Sequence, residues 1–311
     1  MAFERMPGYD LINVVRELDP VEAVRDQEAA ERMRVYPKVV GAGPPDFGVA
    51  KQSGRDWRIL ALGAMAPCGA RVDLATHLRE TAARLGVRGR RELRALADRL
   101  DPEVGEAATG TEFSAGASRY RIVRSLGFTR FGADGPEPAR ATDTEQGPIR
   151  SFLIDPAAPV GPSGAALRLE LLSLVPAAGT VPERLRMEAL DAIRVHPGVV
   201  LLPPGFAVVE DLDDRWRPIT GGDGPQDARD ALAHYFRVIL PGFVPPGTRP
   251  PSPGELDEYA RAADRVDARR AVEFVACGRR FRIVRVVRTI RVGPDGPEPA
   301  RPSDEDAPNP A

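Results

Sequence analysis

Apolar and polar positions run through the same order of elements twice along this chain. A capping side chain, Asp19 or Thr180, is followed three residues later by Glu22 or Glu183, the signature of a helix start. The two predicted helices run to about Val35 and Val195. Tyr36-Pro37 and His196-Pro197 stop them, because proline disfavours helix in the residue before it. Strand-like segments follow, Val39-Val40 with Phe47-Gly48-Val49, and Val199-Val200 with Phe206-Ala207-Val208. Polar turns then lead into Trp57-Arg58-Ile59 and Trp216-Arg217-Pro218-Ile219, a hairpin pattern in which Pro218 predicts a sheet edge. Helices are expected around Asp73–Leu78 and Asp230–Tyr235, and again over Glu92–Leu100 and Glu255–Val266.

The closing strand makes the recurrence explicit. Arg119-Tyr120-Arg121-Ile122-Val123-Arg124 returns as Arg280-Phe281-Arg282-Ile283-Val284-Arg285, and the segment Arg130–Arg140 returns as Arg291–Arg301, both at an offset of 161. Self-similarity at one offset predicts a duplicated unit. The expected fold is α+β: two homologous units, each a small mainly antiparallel sheet with helices on one face, forming a pseudo-dimer. The units are placed at residues 1–145 and 180–301. The Pro/Gly-rich connection 146–179 is expected to hold a strand where Leu167, Leu169 and Leu171 alternate with Arg168 and Glu170. The apolar run Leu11–Val15 is expected to open the first unit in the same way, and the acidic, proline-rich residues 302–311 to be a disordered tail.

Two features together resemble an uncharacterised domain-of-unknown-function family of high-GC bacteria. One is the hairpin tryptophan followed by the helix at Asp227-Ala228-Arg229-Asp230. The other is the strand from Phe281 running into Gly293-Pro294-Asp295-Gly296-Pro297-Glu298-Pro299. The resemblance is clearest in the C-terminal copy; the N-terminal copy departs at Val72 and Ala133. It implies a layout and brings no activity or catalytic residues with it.

Composition narrows the function classes. With 42% hydrophobic and 28% charged residues in 311, the chain has material for two cores and reads as a soluble globular protein. A net charge of −2 provides no global field toward DNA or an anionic membrane. Lys38 and Lys51 are the only lysines, and this preference for arginine fits a GC-rich bacterial genome. The start lacks a signal-peptide pattern, no apolar stretch approaches the roughly 20 residues of a membrane span, and Cys68 and Cys277 are isolated. A cytoplasmic location is expected.

The candidates for chemistry are few. Arg121, Arg124, Arg282 and Arg285 lie in arginine-rich strands that can grip phosphates, yet the period of a strand sends neighbouring arginines to opposite faces. The expected state is a solvated strand, with downstream acids such as Asp295, Glu298, Asp304 and Glu305 available for neutralisation. Trp57 and Trp216 hold one slot in the two copies, as a core anchor or an aromatic ligand cage. His77 and His234 each follow an aspartate, Asp73 or Asp230, by four residues, so each pair shares a helix face. Brought together by a pseudo-twofold they would form a metal site; the plainer alternative is a helical Asp–His pair copied with the gene.

No glycine-rich phosphate loop, serine elbow or cysteine-nucleophile context occurs, and no cofactor is implied. The function favoured is non-enzymatic binding of a partner protein or small ligand at the groove between the units. The alternatives are an enzyme with a carboxylate/arginine site at that groove, and a nucleic-acid-associated protein using the arginine strands.

Overall fold

Caps and prolines set the helix ends. The Asp19 carboxylate accepts hydrogen bonds from the N–H groups of Val21 and Glu22 at 2.9 and 3.0 Å, and Pro20 occupies the first turn. Ser252 and Glu255 form a reciprocal capping box at the start of another helix.

The computed structural model describes residues 8–103, 107–145, 147, 149–213, 215–243 and 249–305, without the side chains of residues 87 and 88. The N-terminal half runs α1 (Pro20–Val35), β1 (Lys38–Gly41), β2 (Asp46–Ser53), β3 (Asp56–Ala64), α2 (Pro67–Ala83) and α3 (Val87–Leu100). It ends with β4 (Glu112–Ala115), β5 (Ser118–Gly132) and β6 (Gly135–Pro136). The connection carries β7 (Phe152–Leu153) and α4 (Pro162–Leu172). The C-terminal half continues with α5 (Glu183–Val195), β8 (Gly198–Asp211), β9 (Trp216–Gly222) and α6 (Pro225–His234). A π-helical turn at Tyr235–Ile239 leads into α7 (Leu240–Gly242) and α8 (Pro253–Ala268). The last elements are β10 (Glu273–Ala276), β11 (Arg279–Gly293), β12 (Gly296–Pro297) and α9 (Pro302–Glu305).

The fold is α+β, built on one large curled antiparallel sheet. Its main path is β7-β3-β2-β5-β11-β8-β9, with β1, β4 and β6 on β5 and β10 and β12 on β11. The two arginine-rich strands pair directly at the centre, Val287 opposite Phe128 and Ile290 opposite Ser125. Bulges in β2–β3, β8–β11 and β8–β9 add local twist, which is how so wide a sheet curls instead of lying flat.

Alternation along the strands separates the core. Tyr120 and Ile122 of β5 face α2 and α3, where Leu74, Leu78, Leu93 and Leu100 complete one cluster. Phe281 and Ile283 of β11 face α6 and α8 in a second cluster, with Phe236 and Tyr259. Val123, pointing the other way, joins Trp57, Ile59, Ile149, Val200 and Ile290 in a third.

Several expectations need correction. Leu167–Leu171 is helix α4, not a strand: Pro162 sits in its first turn, and leucines four apart line one helical face as readily as leucines two apart line a strand. Leu11–Val15 is not a strand either. Tyr9–Leu11 is a 3-10 turn, and Val14 makes one isolated bridge to Val160. Val199-Val200 and Phe206–Val208 belong to one continuous strand, β8. The expected disordered tail begins with an ordered turn, α9, whose Asp304 and Glu305 pair with Arg124 and Arg71 at 3.1 and 2.6 Å. Residues 306–311 lie outside the described ones. Pro218 does stand on an edge strand, β9, where a missing N–H costs no ladder bond.

Candidate functional site

The arginines expected to be solvated are buried. Arg121 is 2% exposed; it donates to the Pro297 carbonyl at 2.8 Å and to Glu112 at 2.6 Å, and it pairs with Asp295. Its guanidinium lies 4.9 Å from the ring of Trp57. Arg282, 161 positions on, donates to the Asp134 and Pro136 carbonyls at 2.9 and 3.0 Å and to Glu273 at 2.9 Å, and lies 4.9 Å from the Trp216 ring. Arg124 meets Asp304 at 3.1 Å and Arg285 meets Asp143 at 2.9 Å. These four guanidiniums are turned to carboxylates and carbonyls of the chain itself.

Each long strand is strapped by the segment that follows the other one. Gly135 lies against Trp216 and Gly296 against Trp57; both have positive φ, 107° and 110°, and no room for a side chain at the ring. Ala139 N–H donates to Ile283 O and Ala300 N–H to Ile122 O, at 3.1 and 3.2 Å. The Asp-Gly-Pro-Glu-Pro segments therefore act as straps across the opposite strand. A sign was readable in the sequence: Glu112 and Glu273, the acids on Arg121 and Arg282, stand at the same offset of 161. What spacing could not give is that each strap crosses to the opposite half. Hydrogen bonds from Arg119 and Arg121 hold the Asp295 carboxyl at about 2.

The Asp–His helices do not converge. His77 and Asp73 project from α2, beside one core cluster; His234 and Asp230 are exposed on α6, beside another, and Asp230 accepts from Gln226 at 2.7 Å. Among the described residues no group of three or more His, Cys, Asp or Glu is placed to hold a metal. The junction between the halves is also packed: the cavity there, beside Arg124 and Arg291, measures about 10 Å³.

An open groove lies elsewhere, between α2, β3 and the connection. Asp73, His77, Glu80 and Arg84 form one wall, Leu60 and Leu62 the floor, and Ile149–Ser151 the other wall, around about 540 Å³. That volume is in the range of small-molecule sites. The groove exists because the connection folds back: Ser151 N–H donates to Ile59 O at 2.7 Å, and β7 pairs with the outer edge of β3. Burial, and then the Lys51 charge, push the His77 imidazole below its ordinary value, favouring the neutral ring at pH 7. Burial raises the Asp73 carboxyl. Sequence spacing identified Asp73 and His77 but not Glu80, Arg84 or Arg150 beside them, because the wall at 149–151 comes from a distant connection.

Among the described residues no helix is long and apolar enough to cross a membrane. Neither a curated protein nor a solved structure matches the chain. Residues 19–307 match a family of unknown function, and the span runs from the cap of α1 through the last strap. The strand, strap and groove residues all fall within that span, so the chain belongs to the family of unknown function DUF5954.

Proposed function

We propose that this chain is a cytoplasmic binding protein that takes a small ligand in the α2 groove, on a scaffold of two homologous units joined as a pseudo-dimer. Reciprocity of the straps supports the scaffold reading: Arg121 with Asp295 and Arg282 with Asp134 repeat one arrangement in opposite directions. So does the central pairing, in which Val287 opposite Phe128 is mirrored by Thr289 opposite Leu126. The binding site moves from the junction to α2, and the groove of about 540 Å³ is the observation that carries it. Arg84 and Arg150 offer cationic donors, Asp73 and Glu80 offer acceptors, and Leu60, Leu62 and Ile149 an apolar floor. That set fits a small zwitterionic molecule with an apolar body. Calorimetric titration of a panel of free amino acids and related zwitterions tests it. Saturable binding lost in His77→Ala and Arg84→Ala is expected; no binding across the panel would overturn it.

A second reading is an enzyme at the same groove, with His77 as general base. The depressed imidazole beside a raised aspartate is what favours it. Turnover of a bound zwitterion, abolished in His77→Gln while binding persists, separates the two.

A further inference from the structure

Arg130 on β5 and Arg291 on β11 stand 161 positions apart, and α4 serves both of them differently. Arg130 is neutralised: its Nη2 meets the Glu170 carboxylate at 2.6 Å. Arg291 receives only carbonyls. Its Nη2 donates to Leu171 O and Leu172 O, at 3.0 and 2.9 Å, and its Nη1 has no partner although the residue is 7% exposed. The carbonyl end of α4 offsets part of one charge, roughly half of an elementary unit.

The surrounding charges do not close the balance. Near Arg130 lie Arg140 and Arg285 with Glu137, Asp143 and Glu170, three arginines against three carboxylates. Near Arg291 lie Arg124 and Arg301 with Glu298 and Asp304, three arginines against two. Glu298 is occupied by Arg301 at 2.7 Å. Arg124 reaches Asp304 through Nε alone, and its Nη groups make no hydrogen bond among the described residues.

Arg124, Thr289, Arg291 and Glu298 line the cavity of about 10 Å³, with Leu174 at its outer side. A space of that size holds one water-sized occupant. Water would satisfy the orphaned N–H but leave the three guanidiniums one carboxylate short, and arginine does not escape by losing its proton. We propose that the cavity is a binding site for a single chloride ion, held by the Nη groups of Arg291 and Arg124, taking the place that Glu170 fills beside Arg130.

Thermal unfolding in sodium chloride against sodium gluconate, at constant ionic strength, tests this. A saturable rise in Tm is expected, on the order of 5 °C at a hundredfold excess over half-saturation, with bromide able to replace chloride. Leu174, an exposed residue that lines the cavity, provides the decisive variant: Leu174→Glu supplies an internal carboxylate and is expected to abolish the response, while Leu174→Gln retains it. A bromide-grown crystal should give an anomalous peak beside Arg291 Nη1. No chloride-specific dependence, a response unchanged in Leu174→Glu, or a cavity holding water alone in bromide would each overturn the proposal.

Discussion

The edge strands β3 and β9 hold corresponding places in the two halves, and the chain finishes them differently. The β3 edge is covered by β7, with Ser151 and Ile154 N–H groups donating to Ile59 O and Trp57 O at 2.7 and 2.8 Å. The β9 edge has no further strand beside it among the described residues, and Pro218 sits on it. In register, Pro218 faces Val209 as Ile59 faces Ala50, so the proline removes a donor at the position where the first edge accepts a partner. One edge is used to build a groove and the other is blunted against unwanted pairing. Matching places in the sheet therefore do not give both edges a groove; it depends on a connection that pairs with only one of them.

The cores differ in the same sense. Behind β5 the filling of α2 and α3 is leucine and alanine; behind β11 the facing elements add the aromatics Phe236 and Tyr259 to alanine, leucine and valine. Phe236, fully buried in the π-helical turn, packs edge-on to Phe281 at 5.1 Å and stacks on Tyr259 at 6.4 Å. A regular helix would rotate the residues after His234, so the π turn reads as the adjustment that seats Phe236. Phe236→Ala is expected to cost about 3–5 kcal/mol in urea unfolding. A loss below about 1 kcal/mol would mean the aromatic cluster does not hold the second half together.

At the centre of the sheet Gly127 faces Arg288. Arg288 donates to Pro203 O at 3.0 Å, Pro204 O at 3.2 Å and Asp223 at 2.7 Å. Those bonds let β8 run unbroken through two prolines at a bulge, where ladder donors are missing. Gly127 has no side chain to do this, and on its side β1 and β2 are separate strands. Arg288→Ala is expected to cost about 1–3 kcal/mol. Hydrogen exchange should then show opening around residues 199–206 ahead of β2; uniform opening would remove the distinction.

This contrast also explains what was legible. Helices with a capping residue and a terminal proline, such as α1 and α5, were readable because their signals are local. Val199-Val200 and Phe206–Val208 read as separate segments, and their continuity in β8 draws on Arg288, more than 80 positions from Pro203. For α4, Leu167 and Leu171 fit both periods, and only packing on Phe128 and Val199 decides between them. The residues of the groove were half visible, since α2 is one element and its facing wall is another. Burial of Arg121 and Arg282 was hidden because both lie under straps from the opposite half.

The two straps are held differently. Asp295 meets both Arg119 and Arg121, whereas Arg280, in the place of Arg119, pairs with Asp211, and Asp134 has Arg282 at 3.6 Å and the Tyr36 hydroxyl at 3.2 Å. At neutral pH Asp295→Asn is therefore expected to cost more than Asp134→Asn. Both effects are small, because these carboxylates are 69% and 57% exposed and solvent screens them. Acid titration sharpens the point. Asp295 titrates at about 2 in the fold, through Arg119 first and Arg121 second, against roughly 3.9 when unfolded. A depressed carboxylate contributes stability above the unfolded value and loses it as pH falls through the folded one. Wild-type stability should thus decline between about pH 4 and 2 more steeply than that of Asp295→Asn; parallel curves would show the strap is not held by this charge.

The smallest expected change in stability is at Pro218, and it bears most directly on the contrast between edges. Pro218→Val restores an outward N–H on β9 without disturbing a ladder bond, and valine suits a strand. Stability of the isolated chain should move by less than about 0.5 kcal/mol. Association should not stay constant: an edge with its full row of donors and acceptors is a template for another strand, so sedimentation velocity is expected to show concentration-dependent dimers absent from wild type. If Pro218→Val remains as monodisperse as wild type, the proline is not what guards β9, and exposed Arg217 on the same strand becomes the next residue to change.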